Sequence, residues 1–263
     1  MKPALNIAIS AARAAGQVIL RNINRLPDIK IHTKSTNDFV SEVDQQAEQA
    51  IISVIQKAYP SHAILAEESG DHPGDECQWI IDPLDGTTNY LHGIPQFCVS
   101  IAMRENNKLQ LGVVYDPLKE ELFCAIRGEG ATLNNRRIRV SKQRDLTGSL
   151  IGTGLPYRTD QELDAYLATL KAMLDKTSGI RRAGSAALDL AYVAAGRFDA
   201  FWEFGLNIWD ISAGVILIQE AGGLVSDIEG GHKYLESGDI VAANTYLYKS
   251  FITTINTAMK SAT

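Results

Sequence analysis

The sequence predicts an α/β protein in two parts, an α+β N-terminal part over residues 1–146 and an α/β C-terminal part over 147–263. Three observations lead there. Two amphipathic helical patterns open the chain, a run of short strand-like segments follows, and strand and helix patterns alternate after Thr147. Alternation of that kind builds a sheet covered by helices.

The elements follow in order. Between Ala4 and Asn24, Leu5, Ala8, Ala12, Ala15, Ile19 and Ile23 recur at three- and four-residue steps, and Pro27 closes the segment. A second helix is expected from Ser41 to Ala58, with Val43, Ala47, Ala50, Ile51 and Val54 on one side and Pro60 as the stop. The stretch between them, with Lys34, Thr36, Asn37 and Asp38, reads as a polar loop. Ala63–Ala66 and Trp79–Ile81 read as strands, separated by a Gly/Pro/Asp loop from Ser69 to Glu76. Phe97–Met103, Leu109–Tyr115 and Leu122–Ile126 suggest an antiparallel meander. In the second part, strands are expected at Leu150-Ile151, Ala200–Trp202, Leu224-Val225 and Ile240–Ala242. Helices are expected over 161–174, Ser185–Ala195, 208–221 and from Thr245. Gly222 and Gly223 punctuate the third of those helices.

The 263 residues are 45% hydrophobic and 21% charged, enough for one large or two modest domains. With 25 Lys+Arg against 31 Asp+Glu, the net charge of -6 argues against a basic surface that tracks nucleic-acid phosphates. An anionic substrate would then need a cation in its site, and a metal ion is the obvious one. Cys77, Cys98 and Cys124 are odd in number and form no Cys-x-x-Cys pair, which speaks against a disulfide framework and for a reducing cytosol. Asn6, Ser10, Arg13 and Gln17 interrupt the apolar N-terminus, so it lacks the continuous core of a signal peptide. No segment approaches the roughly 20 apolar residues of a membrane span. A soluble, cytoplasmic protein with no membrane partner is expected.

The most informative segment is Asp82-Pro83-Leu84-Asp85-Gly86-Thr87-Thr88-Asn89, directly after the apolar run Trp79–Ile81. Two carboxylates at the end of a buried strand are costly unless paired or bound to metal. Gly86 allows a turn that other residues resist. A helix starting near Thr87 would aim free N–H groups at whatever the carboxylates hold, and this suits Mg²⁺ and phosphate together. A plain turn with N-capping aspartates fits the isolated motif equally well. Phosphatases with an aspartyl nucleophile in Asp-x-Asp-Gly-Thr fit poorly, because one extra residue separates the carboxylates here. Glu67, Glu68, Asp44 and Asp210 lie at element boundaries. Taken singly, Asp210 reads as an N-cap and Asp44 as dipole compensation.

Together, Glu67-Glu68-Ser69, the Asp82–Asn89 motif, Trp209-Asp210-Ile211-Ser212-Ala213-Gly214 and Glu220-Ala221-Gly222-Gly223 resemble the inositol monophosphatase family over essentially the whole chain. The run from Arg181 to Leu190 is most similar to its bacterial SuhB-type members. The resemblance implies a layered αβαβα sandwich of the inositol monophosphatase and fructose-1,6-bisphosphatase type, a homodimer, and two to three Mg²⁺ per active site. Glu67, Asp82 and the Leu84 carbonyl would hold the first ion. Asp82, Asp85 and Asp210 would hold the second, and Glu67 with waters a weaker third. Gly86 and Thr87 would bind phosphate through their N–H groups, and Asp44 and Thr87 would orient the attacking water. Asp85, Gly184, Ser185, Ala186, Glu203 and Asp210 would contact the substrate, and Lys34 matches a basic residue before the first acidic loop.

The implied reaction is hydrolysis of myo-inositol monophosphates by metal-activated water with no covalent intermediate, sensitive to Li⁺. Two metals suit it because a dianionic ester otherwise repels an attacking hydroxide. The five histidines show no ligand spacing, consistent with oxygen-only coordination. Other sugar or nucleotide phosphates stay open as substrates, although no insertion for a base is evident. A second class of function is an interaction role, since some SuhB-type relatives work with transcription antitermination factors or RNA polymerase. Arg136, Arg137, Arg139, Arg181 and Arg182 are the candidate docking residues.

Overall fold

Alanine shapes the first layer. In the computed structural model, helix α1 (Lys2–Asn22) buries Ala4, Ala8, Ala11, Ala12, Ala15 and Ile19 along one face. Those small side chains let it pack closely on α2 (Glu42–Ala58), which buries Val43, Ala47, Ile51 and Ile55. The structure describes residues 1–28, 31–35, 38–156 and 163–262, with side chains over 1–26, 41–156 and 163–261. Between the two helices, β1 (Ile31–Ser35) and β2 (Asp38–Ser41) form an antiparallel pair where a polar loop was expected. Cross-strand pairing satisfies the backbone whatever the polarity of the side chains. Lys34 falls on β1, but its side chain lies outside the described residues, as do Thr36 and Asn37.

Among the described residues, the first sheet has eight strands. They are β3 (Ala63–Ala66), β4 (Gly70–His72), β5 (Cys77–Asp85), β6 (Cys98–Glu105), β7 (Lys108–Asp116), β8 (Glu121–Ile126), β9 (Gly130–Leu133) and β10 (Arg136–Arg137), with the short helix α3 (Thr87–Leu91) between β5 and β6. Their order is β10-β9-β8-β7-β6-β5-β3-β4. The expected meander holds over β6 to β8, and antiparallel pairing extends it to β5 on one side and to β9 and β10 on the other. At the other end β3 runs parallel to β5, because the intervening β4 pairs back on the far side of β3. The first sheet is therefore mixed. Strand β6 is buried over its first six residues, as expected for a strand covered on both faces.

The second sheet collects β11 (Leu150–Thr153), β12 (Gly179–Arg181), β13 (Ala200–Glu203), β14 (Gly223–Ser226) and β15 (Ile240–Asn244) in the order β12-β11-β13-β15-β14. Helices α4 (Leu163–Leu174), α5 (Ala186–Ala194), α6 (Ile208–Glu220), α7 (Tyr234–Ser237) and α8 (Tyr248–Ala262) connect and cover it. The layers run α1/α2, first sheet, α5/α6, second sheet, α4/α8, an αβαβα sandwich. One apolar core lies between α1/α2 and the first sheet, another surrounds α5/α6 between the two sheets, and another lies between the second sheet and α4/α8. Helix α6 is buried from Ile211 through Ile218 because it is sandwiched between two sheets.

One expectation about membranes needs correction. Residues Lys2–Leu26 are long and apolar enough to cross a bilayer by length and composition, because alanine raises hydropathy without adding bulk. Here the apolar face of that segment is spent on α2 and the first sheet.

Candidate active site

Asp82 and Asp85 are three residues apart, which in a regular strand would send them to opposite faces of the sheet. The pairing of β5 with β6 steps from Asp82 opposite Ser100 to Asp85 opposite Cys98, three residues against two. This one-residue bulge brings both aspartates to the same cleft. The Asp82 Oδ1 accepts the Leu84 N–H at 2.9 Å, closing the turn around Pro83. Gly86 follows with φ +97°, and a Cβ there would come within 2.8 Å of the Gln96 carbonyl oxygen. No other residue fits as the first turn of α3 begins.

Helix starts supply the facing groups. Ser41 caps α2, and Asp44 closes the capping box by accepting the Ser41 N–H at 2.8 Å and its hydroxyl at 2.5 Å through Oδ2. The other Asp44 oxygen accepts the Thr87 hydroxyl at 2.8 Å. Asp44 thus stands behind Thr87, while Thr87 itself lines the cleft. Asp210 is the third residue of its helix, not the N-cap that its sequence position suggested. Asn207 caps α6, and the Asp210 Oδ2 accepts its N–H at 2.7 Å. Asp85 reaches across to α5, accepting the Ser185 hydroxyl at 2.6 Å and the Ala187 N–H at 2.8 Å. Glu203 ends β13 with its carboxylate against the bare α-carbon of Gly154, where a Cβ would overlap it.

The cleft encloses about 470 Å³. Among the described residues, six carboxylates line it: Glu67, Asp82, Asp85, Asp189, Glu203 and Asp210. Arg182 is the only cation among the described lining residues. Leu84, Gly86, Thr87, Gly184, Ser185 and Ala186 complete the expected set. Burial holds the Asp82 and Asp210 carboxyls well above the ordinary range, and neighbouring carboxylates push both further. Asp85 is raised by burial and partly relieved by its Ser185 and backbone donors. Burial likewise raises Asp44, against the pull of its Ser41 and Thr87 donors. An acidic wall of hard oxygen donors repels a phosphate dianion and suits divalent cations. Glu67, Asp82, Asp85, Asp210 and the Leu84 carbonyl are the groups able to hold them.

Two buried acids at or directly behind the cleft escaped the sequence reading. Glu48 lies one turn beyond Asp44 on the inner face of α2 and is 3% exposed. Its two oxygens accept the N–H groups of Glu68 and Ser69 at 2.8 and 2.9 Å, which fixes the loop directly after Glu67. Asp189 is the one charged residue in the otherwise apolar α5. In each case the available signal was a carboxylate at an inward helical position.

Among the described residues, one trio of potential ligands has all its ligand atoms within 4.8 Å, and it lies elsewhere: His62, Asp75 and Cys77. The Trp79 indole donates to His62 Nδ1 at 3.1 Å, which leaves the ring proton on Nε2. Burial raises the Cys77 thiol, with Glu105 and other acids adding to it. Neither group is prepared to ligate a cation. The five arginines also divide. Arg136 and Arg137 form the edge strand β10 with Arg139 exposed just after it, Arg181 ends the edge strand β12 of the other sheet, and Arg182 belongs to the cleft.

The sequence pattern that defines the inositol monophosphatase family matches residues 1–260. Nus factor SuhB of Pseudomonas aeruginosa is 54% identical over 261 residues, covering 97% of this chain and 96% of that one. The crystal structure of extragenic suppressor protein suhB from Bartonella henselae superposes with a TM-score of 0.94 at 43% identity, covering 96% of this chain and 98% of that one. Inositol monophosphatase from Anabaena (Nostoc) sp. PCC 7120 gives 0.85 at 39% identity, covering 97% and 96%. With the whole chain matched in sequence and in fold, the protein belongs to the inositol monophosphatase family, in its SuhB-type branch.

Proposed function

We propose that this chain is a cytoplasmic, Mg²⁺-dependent phosphatase that hydrolyses myo-inositol monophosphates to inositol and phosphate without a covalent intermediate. The observation that carries the reading is the bulge that turns Asp82 and Asp85 together into a cleft also lined by Glu67 and Asp210. When bound, two to three Mg²⁺ would neutralise the ester, activate water and stabilise the departing alkoxide.

The chain's own groups would do the rest. The Thr87 hydroxyl has its proton engaged by Asp44, with the Leu84 carbonyl 3.0 Å away as its alternative acceptor. Its oxygen can therefore only accept from a water, which turns that water's lone pair outward toward phosphorus. The Gly86 and Thr87 N–H groups would hold a phosphate oxygen. Ser185 gives its proton to Asp85 and so presents acceptor lone pairs to a substrate hydroxyl. Gly184, Ala186, Glu203 and Asp210 would complete the leaving-group contacts, and millimolar Li⁺ should slow turnover.

Likeness to the inositol monophosphatase of Anabaena supports the substrate class. A panel of phosphate monoesters assayed with and without Mg²⁺ tests it. Inositol monophosphates should be turned over fastest and only with the metal, whereas preference for a nucleotide or a sugar bisphosphate would contradict the assignment.

A second role, compatible with the first, is docking to transcription antitermination factors or RNA polymerase. The Nus factor name of the relative favours it, as do Arg136, Arg137 and Arg139, all exposed. Pull-down of RNA polymerase that survives their joint replacement by alanine contradicts that surface. A homodimer is proposed alongside it.

A further inference from the structure

Asp189 is the carboxylate in the cleft that no assigned role uses. It lies in the first turn of α5, lines the cleft and is 1% exposed. Its Oδ1 is buried with no hydrogen-bond partner. The contrast with its neighbours is sharp: Asp82 accepts from Leu84, Asp85 from Ser185 and Ala187, and Asp210 from Asn207. A buried acceptor left unpartnered is costly, and packing alone would favour an apolar residue among the alanines and leucines of α5. A position of this kind implies a donor that arrives from the cleft.

The chemistry of that donor is constrained. Glu203 and Asp85 raise the Asp189 carboxyl after burial has done so, and Arg182 pulls the other way. A second anion is therefore unwelcome on this side of the cleft, and a neutral hydroxyl is the donor that fits. The last torsion of an aspartate is soft, so Oδ1 can turn to meet one. We propose that Asp189 is a specificity residue that accepts a hydrogen bond from a hydroxyl of the leaving group. Together with Glu203 it makes this side of the cleft a reader of neutral leaving groups with more than one free hydroxyl. The proposal rests on the phosphatase reading above and narrows its substrate class to polyol phosphates.

The test compares kcat/KM on myo-inositol 1-phosphate, glycerol 2-phosphate and phenyl phosphate for wild type, Asp189→Ala and Asp189→Asn, with melting temperatures for each. Asp189→Ala should lose roughly 10- to 100-fold more on the inositol ester than on the phenyl ester. Asp189→Asn, which keeps the shape and one acceptor oxygen, should recover much of that selective loss. Neither variant should melt below wild type, since an unpartnered acceptor is removed or made neutral. Equal losses on all three esters, or a selective loss that Asn does not recover, overturn the proposal while leaving the phosphatase reading intact. Wild type that hydrolyses phenyl phosphate but neither polyol ester overturns the substrate reading, and this proposal with it.

Discussion

The Ser185 hydroxyl donates to the Asp85 carboxylate over 2.6 Å, joining residues one hundred positions apart. With the Ala187 N–H on the same oxygen, this bond ties the bulged end of β5 in the first sheet to the start of α5 in the middle layer. One carboxylate therefore both faces the cleft and holds two layers in register around it.

Asp85→Asn keeps an acceptor oxygen for Ser185 and Ala187 but removes one negative charge from the cleft. Circular dichroism should show an intact fold, while turnover at saturating Mg²⁺ falls roughly 10²–10³-fold, the usual loss for one electrostatic contributor to a transition state. Near-normal turnover would remove Asp85 from the metal site.

Glu48 acts one step further back. Glu48→Ala leaves the part-buried Glu68 and Ser69 N–H groups without their acceptor, at a cost of about 1–3 kcal/mol in unfolding free energy. The loop carrying Glu67 loosens, so the Mg²⁺ concentration for half-maximal activity should rise more than kcat falls. A stability loss with unchanged Mg²⁺ dependence would make Glu48 a purely structural clamp.

Glu203 and Gly154 form a pair that can be separated. Glu203→Ala should weaken turnover of inositol monophosphate much more than that of an aryl phosphate, because a site built around a hydroxyl loses that discrimination with its acceptor. Gly154→Ala places a methyl where the Glu203 carboxylate now lies, so it should reproduce the same selectivity change with Glu203 still present. Equal losses on both esters would return Glu203 to a structural role.

Burial and neighbouring carboxylates raise the folded-state pKa of Asp82 above its unfolded value near 3.8. The folded state therefore binds more protons than the unfolded one as pH rises from that value. Its contribution to stability is greatest below the unfolded pKa and is lost as pH climbs through the raised folded value. In chelator, wild type should lose melting temperature relative to Asp82→Asn as pH rises from about 4 to neutrality. Added Mg²⁺ should close that gap for wild type. A gap that widens in the opposite sense contradicts the burial of an unpaired acidic cluster.

Much of this architecture was legible in the residues. The run from Asp82 to Asn89 places its chemistry within eight consecutive positions, and the long helices announce themselves through Ala8, Ala12 and Ala15 or Val43, Ala47 and Ile51. What stayed hidden depends on partners distant in sequence. The bulge between Asp82 and Asp85 exists only against Ser100 and Cys98, so no periodicity in β5 alone can reveal it. Strands β4, β10 and β12 are two or three residues long, too short to show alternation. Glu48 looked like any polar residue on an amphipathic helix until the Glu68–Ser69 backbone was laid against it.

Anomalous scattering from crystals soaked in Mn²⁺, a surrogate for Mg²⁺, tests the central claim most directly. At least two peaks should lie in the cleft within about 2.0–2.3 Å of carboxylate oxygens of Glu67, Asp82, Asp85 and Asp210, with the Leu84 carbonyl on one of them. A cleft without a peak at millimolar Mn²⁺, or a peak only at His62, Asp75 and Cys77, would contradict the account.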